Sequence, residues 1–195
     1  MTEHTLRQYD IELEEIRRGV LNMGGLAEAQ VVKAIEGLRS GQLDLLDTVI
    51  EGDKPINLAQ VELDDDCSHI IAKRQPAAGD LRLVLAVIKI ASDLERIGDE
   101  AKKIAKGARR LHSAETPFVP RVGLTQAVEL ALELLRASLD AFARVNPEGI
   151  EDLRRKDAEI DAGFKGVMRQ LITYMMEDPR TISSCLEMLF IAKAI

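Results

Sequence analysis

The side chains in this sequence with a claim to chemistry are carboxylates, and they stand where apolar residues are expected. From Ile150 to Met175 a helical stripe reads Ile150, Leu153, Ile160, Phe164, Val167, Leu171, Met175. Asp157 fills the step between Leu153 and Ile160, and Asp161 follows one turn later at the stripe's edge. Asp53 and Asn57 hold the corresponding places in a second stripe of Leu46, Val49, Ile56, Leu63, Cys67 and Ile71. A third pair, Glu95 and Asp99, ends a row that begins apolar with Leu81, Val84 and Ile88, beside a main stripe of Leu83, Val87, Ile90, Leu94, Ile97, Ala101 and Ile104. An ionised carboxylate on a packing face is costly unless neutralised, because desolvation opposes the charged form. Residues at i and i+4 project from one side of a helix, so such a pair can offer oxygens to a hard or borderline metal ion. The alternative for Glu95 and Asp99 is a solvated face, with Arg96, Lys102 or Lys103 as counter-ions. Gly98, between these two acids, lets another helix or a ligand approach closely, at about 1 kcal/mol in helix propensity relative to Ala.

Other chemistries find little support. There is no Ser/His/Asp set and no phosphate-cradling GxxxxGK[ST] loop. A carboxylate-bridged metal enzyme of the di-iron kind needs Glu-x-x-His repeated on facing helices, whereas here Asp66-x-x-His69 occurs once and the other histidines are His4 and His112. That enzyme and a metal-free helical scaffold are the rival readings. Cys67 and Cys185 are far apart, with no CxxC, as befits reduced buried thiols. The net charge of −7 repels nucleic acid and anionic lipid. The basic clusters Lys102, Lys103, Lys106, Arg109, Arg110 and Arg154, Arg155, Lys156 read as solvated faces. The first 19 residues contain no apolar core segment, and the longest apolar stretch, Leu83 to Ala91, is short and contains Lys89. A cytoplasmic protein, reaching membranes only through partners, is expected.

The acids must be positioned by helices. Aromatic residues are 3% of the chain and Trp is absent, while hydrophobic residues reach 46%, a composition suited to packed helices rather than a sandwich or barrel. Sparse Pro and Gly leave six helical stretches: Leu6 to Ser40, Leu43 to Lys73, Ala78 to His112, Gly123 to Val145, Glu148 to Glu177, and Pro179 to the end. Ser113 to Arg121, with Pro117 and Pro120, reads as a linker dividing residues 1–113 from 121–195. An offset of 104 residues sets Leu46, Val49, Asp53, Ile56, Asn57 and Leu63 over Ile150, Leu153, Asp157, Ile160, Asp161 and Val167. At an offset of 101, Leu81, Val84, Leu85 and Ile88 fall over Ile182, Cys185, Leu186 and Leu189. The spacing predicts an all-α fold of two repeated antiparallel three-helix bundles side by side.

Asp93-Leu94-Glu95-Arg96-Ile97-Gly98-Asp99 resembles the (D)LERIGD signature of the PhoU family. Arg74-Gln75-Pro76-Ala77-Ala78-Gly79-Asp80-Leu81-Arg82 resembles that family's turn before the third helix. Met23-Gly24-Gly25-Leu26-Ala27-Glu28-Ala29-Gln30 resembles its first-helix MGxLxExQ motif, and Thr173 to Arg180 its turn before the sixth helix. The resemblance implies a non-catalytic regulator that acts on the ATPase of the phosphate ABC transporter and on the sensor kinase of the phosphate regulon, keeping the regulon repressed when phosphate is plentiful. It also implies a homodimer, and metal at the acid pairs: multinuclear iron, or zinc, manganese or magnesium, at Glu95/Asp99 and Asp157/Asp161, with Asp53/Asn57 a weaker match because Asn replaces an acid. By the repeat, Ile195 stands over Leu94, where the first unit goes on to Glu95-Arg96-Ile97-Gly98-Asp99. The last helix is therefore expected to be cut short. If clusters form within a repeat, Asp157/Asp161 lacks its partner; if they form across repeats, Asp53/Asn57 does.

Overall fold

The computed structural model describes residues 2–52, 54–114, 118–146 and 149–195, with only the backbone of residues 2–6 and of residue 150. Among the described residues seven α-helices follow one another: α1 (Thr2–Ser40), α2 (Leu43–Glu51), α3 (Lys54–Arg74), α4 (Ala78–His112), α5 (Thr125–Arg144), α6 (Ile150–Glu177) and α7 (Ile182–Lys193), with a 3-10 turn at Pro179–Thr181. Among the described residues there is no strand.

The stretch expected as one second helix is two. The N–H of Gly52 reaches the Thr48 carbonyl at 2.9 Å and closes α2, and α3 opens with Pro55 in its first turn. Proline lacks an N–H, and its ring would meet the carbonyl of Glu51, four residues back, so a continuous helix cannot pass through. Gln30 of α1 fills the break. Its Nε2 donates to the Gly52 carbonyl at 3.0 Å, and a Cβ at Gly52 would collide with the Gln30 carboxamide.

In the first trio α4 packs along α1 and α3 on a seam of small residues. Ala91, Gly98, Ala101, Ala105 and Ala108 are buried there, together with Val84, Val87 and Leu94. Of the stripe expected at the centre, Val87, Leu94, Ala101 and Ile104 are buried, while Leu83, Ile90 and Ile97 lie half-buried at its edges. Small residues win the centre because they let helices come close enough for side chains to reach backbone. A Cβ at Gly98 would lie 2.9 Å from Ile56 Cδ1, and one at Gly19 would lie 2.6 Å from Leu63 Cδ2.

The turns of this trio are tied down by side chains. Gly41, between α1 and α2, has φ +72°, which favours glycine, and His112 closes over it with Nε2 2.8 Å from the Leu38 carbonyl. Between α3 and α4, Arg74 donates two hydrogen bonds to Glu12 at 2.6 and 2.9 Å, and the Tyr9 hydroxyl donates to Asp80 at 2.9 Å. Partial burial and the neighbouring Asp80 push the Tyr9 pKa up to about 12. The hydrogen bonds from Arg74 hold the Glu12 carboxyl below its ordinary value.

The second trio docks on the first. Leu139 of α5 packs against Gly24 of α1, with Arg136 bonded to Glu28 at 2.6 Å alongside. Ile191 of α7 packs against Gly107 of α4, and Arg110 donates two bonds to Glu187. One core consequently spans both trios, joining Leu38, Leu46 and Ile104 to Val167, Leu171, Met188 and Ile191. The linker is packed too: Phe118 stands edge-on to Tyr174 with ring centroids 5.9 Å apart, and Val119 and Val122 lie on the core. Against the 35 residues of α4, α7 has 12. Among the described residues the N-terminal half of α6 has α5 beside it and no third helix, and the buried side chains in α6 are Val167 and Leu171.

Candidate functional site

Glu95 and Asp99 sit half-buried on α4, on either side of the buried Gly98. Ile56 of α3 fills the space that Gly98 leaves, so the close approach expected there is made by a helix of the same trio. The two acids thus border the α3–α4 seam from adjacent turns of one helix. Lys103, one turn further on, bonds to Glu100 at 2.7 Å. That bond raises the Lys103 pKa, and the charge of Asp99 adds to the effect.

The other expected site residues fare differently. Asp53 lies outside the described residues. Asn57, four positions on, is exposed. Asp157 and Asp161 are also exposed, and the stripe residues beside them, Leu153, Ile160 and Phe164, are only half-buried. The expectation of carboxylates on a packed face is not met on α6, where among the described residues no helix covers that face.

Among the described residues, no group of three or more His, Cys, Asp or Glu side chains is close enough to hold a metal ion. Glu95 and Asp99 supply two carboxylates on one side of α4, a partial donor set of the kind that hard cations complete with water or further oxygens. A second acceptor stands out at the α2–α3 break. Gln30 Oε1 is buried with no hydrogen-bond partner, while its Nε2 is engaged by Gly52, the residue before Asp53. Asp64 Oδ1 on α3 is likewise buried and unbonded. Such orphaned acceptors are rare in folded proteins, since each carries its full desolvation cost.

Both cysteines are buried and free. Burial, with Asp64 and Asp66 nearby, pushes the Cys67 thiol up to about 11, which removes it as a nucleophile. What sequence reasoning missed is the clasp of Tyr9, Glu12, Arg74 and Asp80. A faint signal existed: Tyr9 and Glu12 are three apart on one face of α1, and Arg74 and Asp80 flank the α3–α4 turn.

The family model described as "PhoU domain" matches residues 20–108 and again residues 124–195. The chain belongs to the PhoU family. It is 44% identical over 196 residues to the phosphate-specific transport system accessory protein PhoU of Edwardsiella tarda, an alignment covering 100% of this chain and 80% of that protein. Against the protein of the same name from Escherichia coli (strain K12) it is 43% identical with the same coverage. The crystal structure of PhoU from Pseudomonas aeruginosa superposes with a TM-score of 0.89 at 37% identity, over 95% of this chain and 89% of that one. That of the phosphate transport system regulatory protein PhoU from Streptococcus pneumoniae gives 0.84 at 28% identity, over 95% and 87%. The PhoU motifs read from the sequence acquire places in the fold. Gly24 receives Leu139, Gln30 fills the α2–α3 break, Arg74 and Asp80 clasp α1, and Gly98 receives Ile56. No helix among the described residues is long and apolar enough to cross a membrane.

Proposed function

We propose that this chain is a cytoplasmic, non-catalytic accessory protein of phosphate transport. It restrains phosphate uptake and represses the phosphate regulon by binding the ATPase of the phosphate ABC transporter and the sensor histidine kinase. The observation that carries this reading is the match, along the whole chain and through both trios, to proteins named accessory proteins of the phosphate-specific transport system. An all-helical body suits docking, since helical faces are a common mode of recognition. Pull-down of the purified transporter ATPase and of the kinase's cytoplasmic portion, with metal supplied, should retain both. Retention of neither defeats the reading.

Metal belongs to the same proposal. Glu95 and Asp99 hold iron, zinc, manganese or magnesium, with Asp53 and Asn57 as the weaker pair. Asp157 and Asp161 make a second, open site that a partner or a homodimer mate would complete. Metal analysis of the purified protein should show a bound ion that Asp99→Asn removes. In the isolated protein Asp157→Asn should remove less, because its site lacks walls. Metal content indifferent to Asp99→Asn would remove the acids from the mechanism while leaving the docking role intact.

A further inference from the structure

The hairpin of α6 and α7 carries an apolar face that nothing in the chain covers. On α6, Met168, Ile172 and Met176 recur at every fourth residue with relative exposures of 36%, 47% and 80%. On α7, Ile182, Leu186 and Phe190 do the same at 41%, 41% and 64%. Both stripes lie one residue C-terminal to buried positions, Val167 and Leu171 on α6 and Cys185 on α7, so each flanks the packed side of its helix. The tight turn at Asp178–Thr181 makes the helices antiparallel neighbours. Met176 and Ile182 therefore sit at the turn end, while Met168 and Phe190 sit at the far end. Together the six side chains expose on the order of 600 Å² of apolar surface, the upper range for a patch on a monomeric protein.

The far end is basic. Lys165 continues the α6 stripe one turn before Met168, Arg169 stands beside Met168, and Lys193 continues the α7 stripe; all three are exposed, and among the described residues none makes an ion pair. The acids of α7 and its preceding turn are occupied, Asp178 by Arg180 and Glu187 by Arg110. In a chain of net charge −7, exposed cations thus border the exposed hydrophobic residues of this hairpin.

We propose that this face docks an amphipathic helix of a partner protein. Its apolar side lies between the two stripes, and its acidic residues meet Lys165, Arg169 and Lys193. The inference builds on the accessory role above by assigning a surface and a partner chemistry to it. Paired antiparallel stripes suit a helix read at i, i+3/i+4 and i+7. The adaptable Met side chains suit a docked rather than a core contact. An anionic membrane is the poorer occupant, since the acidic remainder of the chain opposes it.

The probe is a fluorescent peptide of about 20 residues with Leu at helical a/d spacing and Glu flanking, read by anisotropy against the same peptide with Lys for Glu. The full chain should bind the acidic peptide at least about tenfold more tightly than the basic one, and Met176→Asp or Phe190→Asp should lower that affinity about tenfold or more. These positions are so exposed that folding is retained, which circular dichroism checks. Arg169→Glu should weaken binding and flatten its salt dependence. Equal binding of both peptides, or variants indistinguishable from the native chain, overturns the proposal. So does a native dimer that Met176→Asp makes monomeric, which gives the face to a second copy. So does sedimentation with phosphatidylserine vesicles that Met176→Asp abolishes. In the ATPase and kinase pull-downs, native chain retained and Met176→Asp lost supports it, and both retained overturns it. A native chain retained by neither partner defeats the accessory role, while the peptide result still judges the face.

Discussion

The two trios are built on one sequence pattern and end in different physical states. In the first, the 35-residue α4 fills the groove between α1 and α3 and buries Leu46, Ile56 and Leu63 almost completely. In the second, the 12-residue α7 covers part of α6, leaving Leu153, Ile160 and Phe164 half-buried and Asp157 in water. The outer faces diverge as well. At the 104-residue offset, Asp64, Ser68 and Ala72 of α3 correspond to Met168, Ile172 and Met176 of α6. A shared inner stripe therefore sets the architecture in both halves, while the outer surface is free to specialise. What an acid in the stripe means depends on whether a third helix closes over it.

The sharpest way to break this contrast is to remove equivalent bulk from the two trios. Ile56 is fully buried, and Ile56→Ala should cost about 3–4 kcal/mol. At this chain length that is a fall of roughly 10 °C in melting temperature. Leu153→Ala on the corresponding face of α6 should cost about 1 kcal/mol, since the side chain gives up less buried area. Thermal unfolding of the two variants measures the difference. Equal losses would mean that the second trio is as well packed as the first.

Glycines sharpen the same comparison with smaller effects. Gly98 and Gly19 each have a side chain pressed against them, whereas a Cβ at Gly163 or Gly166 of α6 would meet nothing within 4 Å. Gly163→Ala and Gly166→Ala should each stabilise the protein by up to about 1 kcal/mol through helix propensity alone. Gly98→Ala gains the same propensity but must displace the buried Ile56, and should come out destabilising by about 1 kcal/mol. Chemical denaturation reads the signs, and a stabilising Gly98→Ala would dissolve the distinction between packed and open glycines.

Much of the fold was legible because long amphipathic helices with clean turn residues announce themselves. The extent of α4, from Ala78 to His112, follows directly from periodicity and proline placement. The break at Gly52 was not read, because apolar spacing runs on through Leu43 to Lys73 and the Gln30 side chain that fills the break lies 22 residues away in sequence. The seam of α4 was placed only in part, through Val87, Leu94, Ala101 and Ile104, for a related reason. Hydrophobic spacing weights Leu and Ile over Ala and Gly, whereas close helix packing reverses the order. The acids of α6 were read as buried because a stripe shows which face is apolar and cannot show whether anything covers it. The clasp at the α3–α4 turn joins residues more than 60 positions apart, beyond the reach of any local pattern.

That clasp gives the smallest and most specific contrast, because the corresponding turn of the second trio has only a local pair. Asp178 is held down by Arg180 two residues away, with the arginine side chain 90% exposed, so that pair joins no two helices. In the first trio the Glu12 carboxyl is held below its ordinary 4.5 by Arg74 on another helix. Its stabilisation is complete above that pH and fades as pH falls through the lower folded value. Tyr9 behaves in the opposite sense. Raised from 10 to about 12, it stabilises fully below pH 10 and loses its contribution as pH climbs through the folded value. Arg74→Gln should therefore flatten the acid limb of the stability curve, and Tyr9→Phe the alkaline limb, while Arg180→Gln leaves both nearly unchanged. Urea denaturation across pH measures all three, and an acid limb as sensitive to Arg180→Gln as to Arg74→Gln would show that the turn's sequence, rather than its bond to α1, carries the effect.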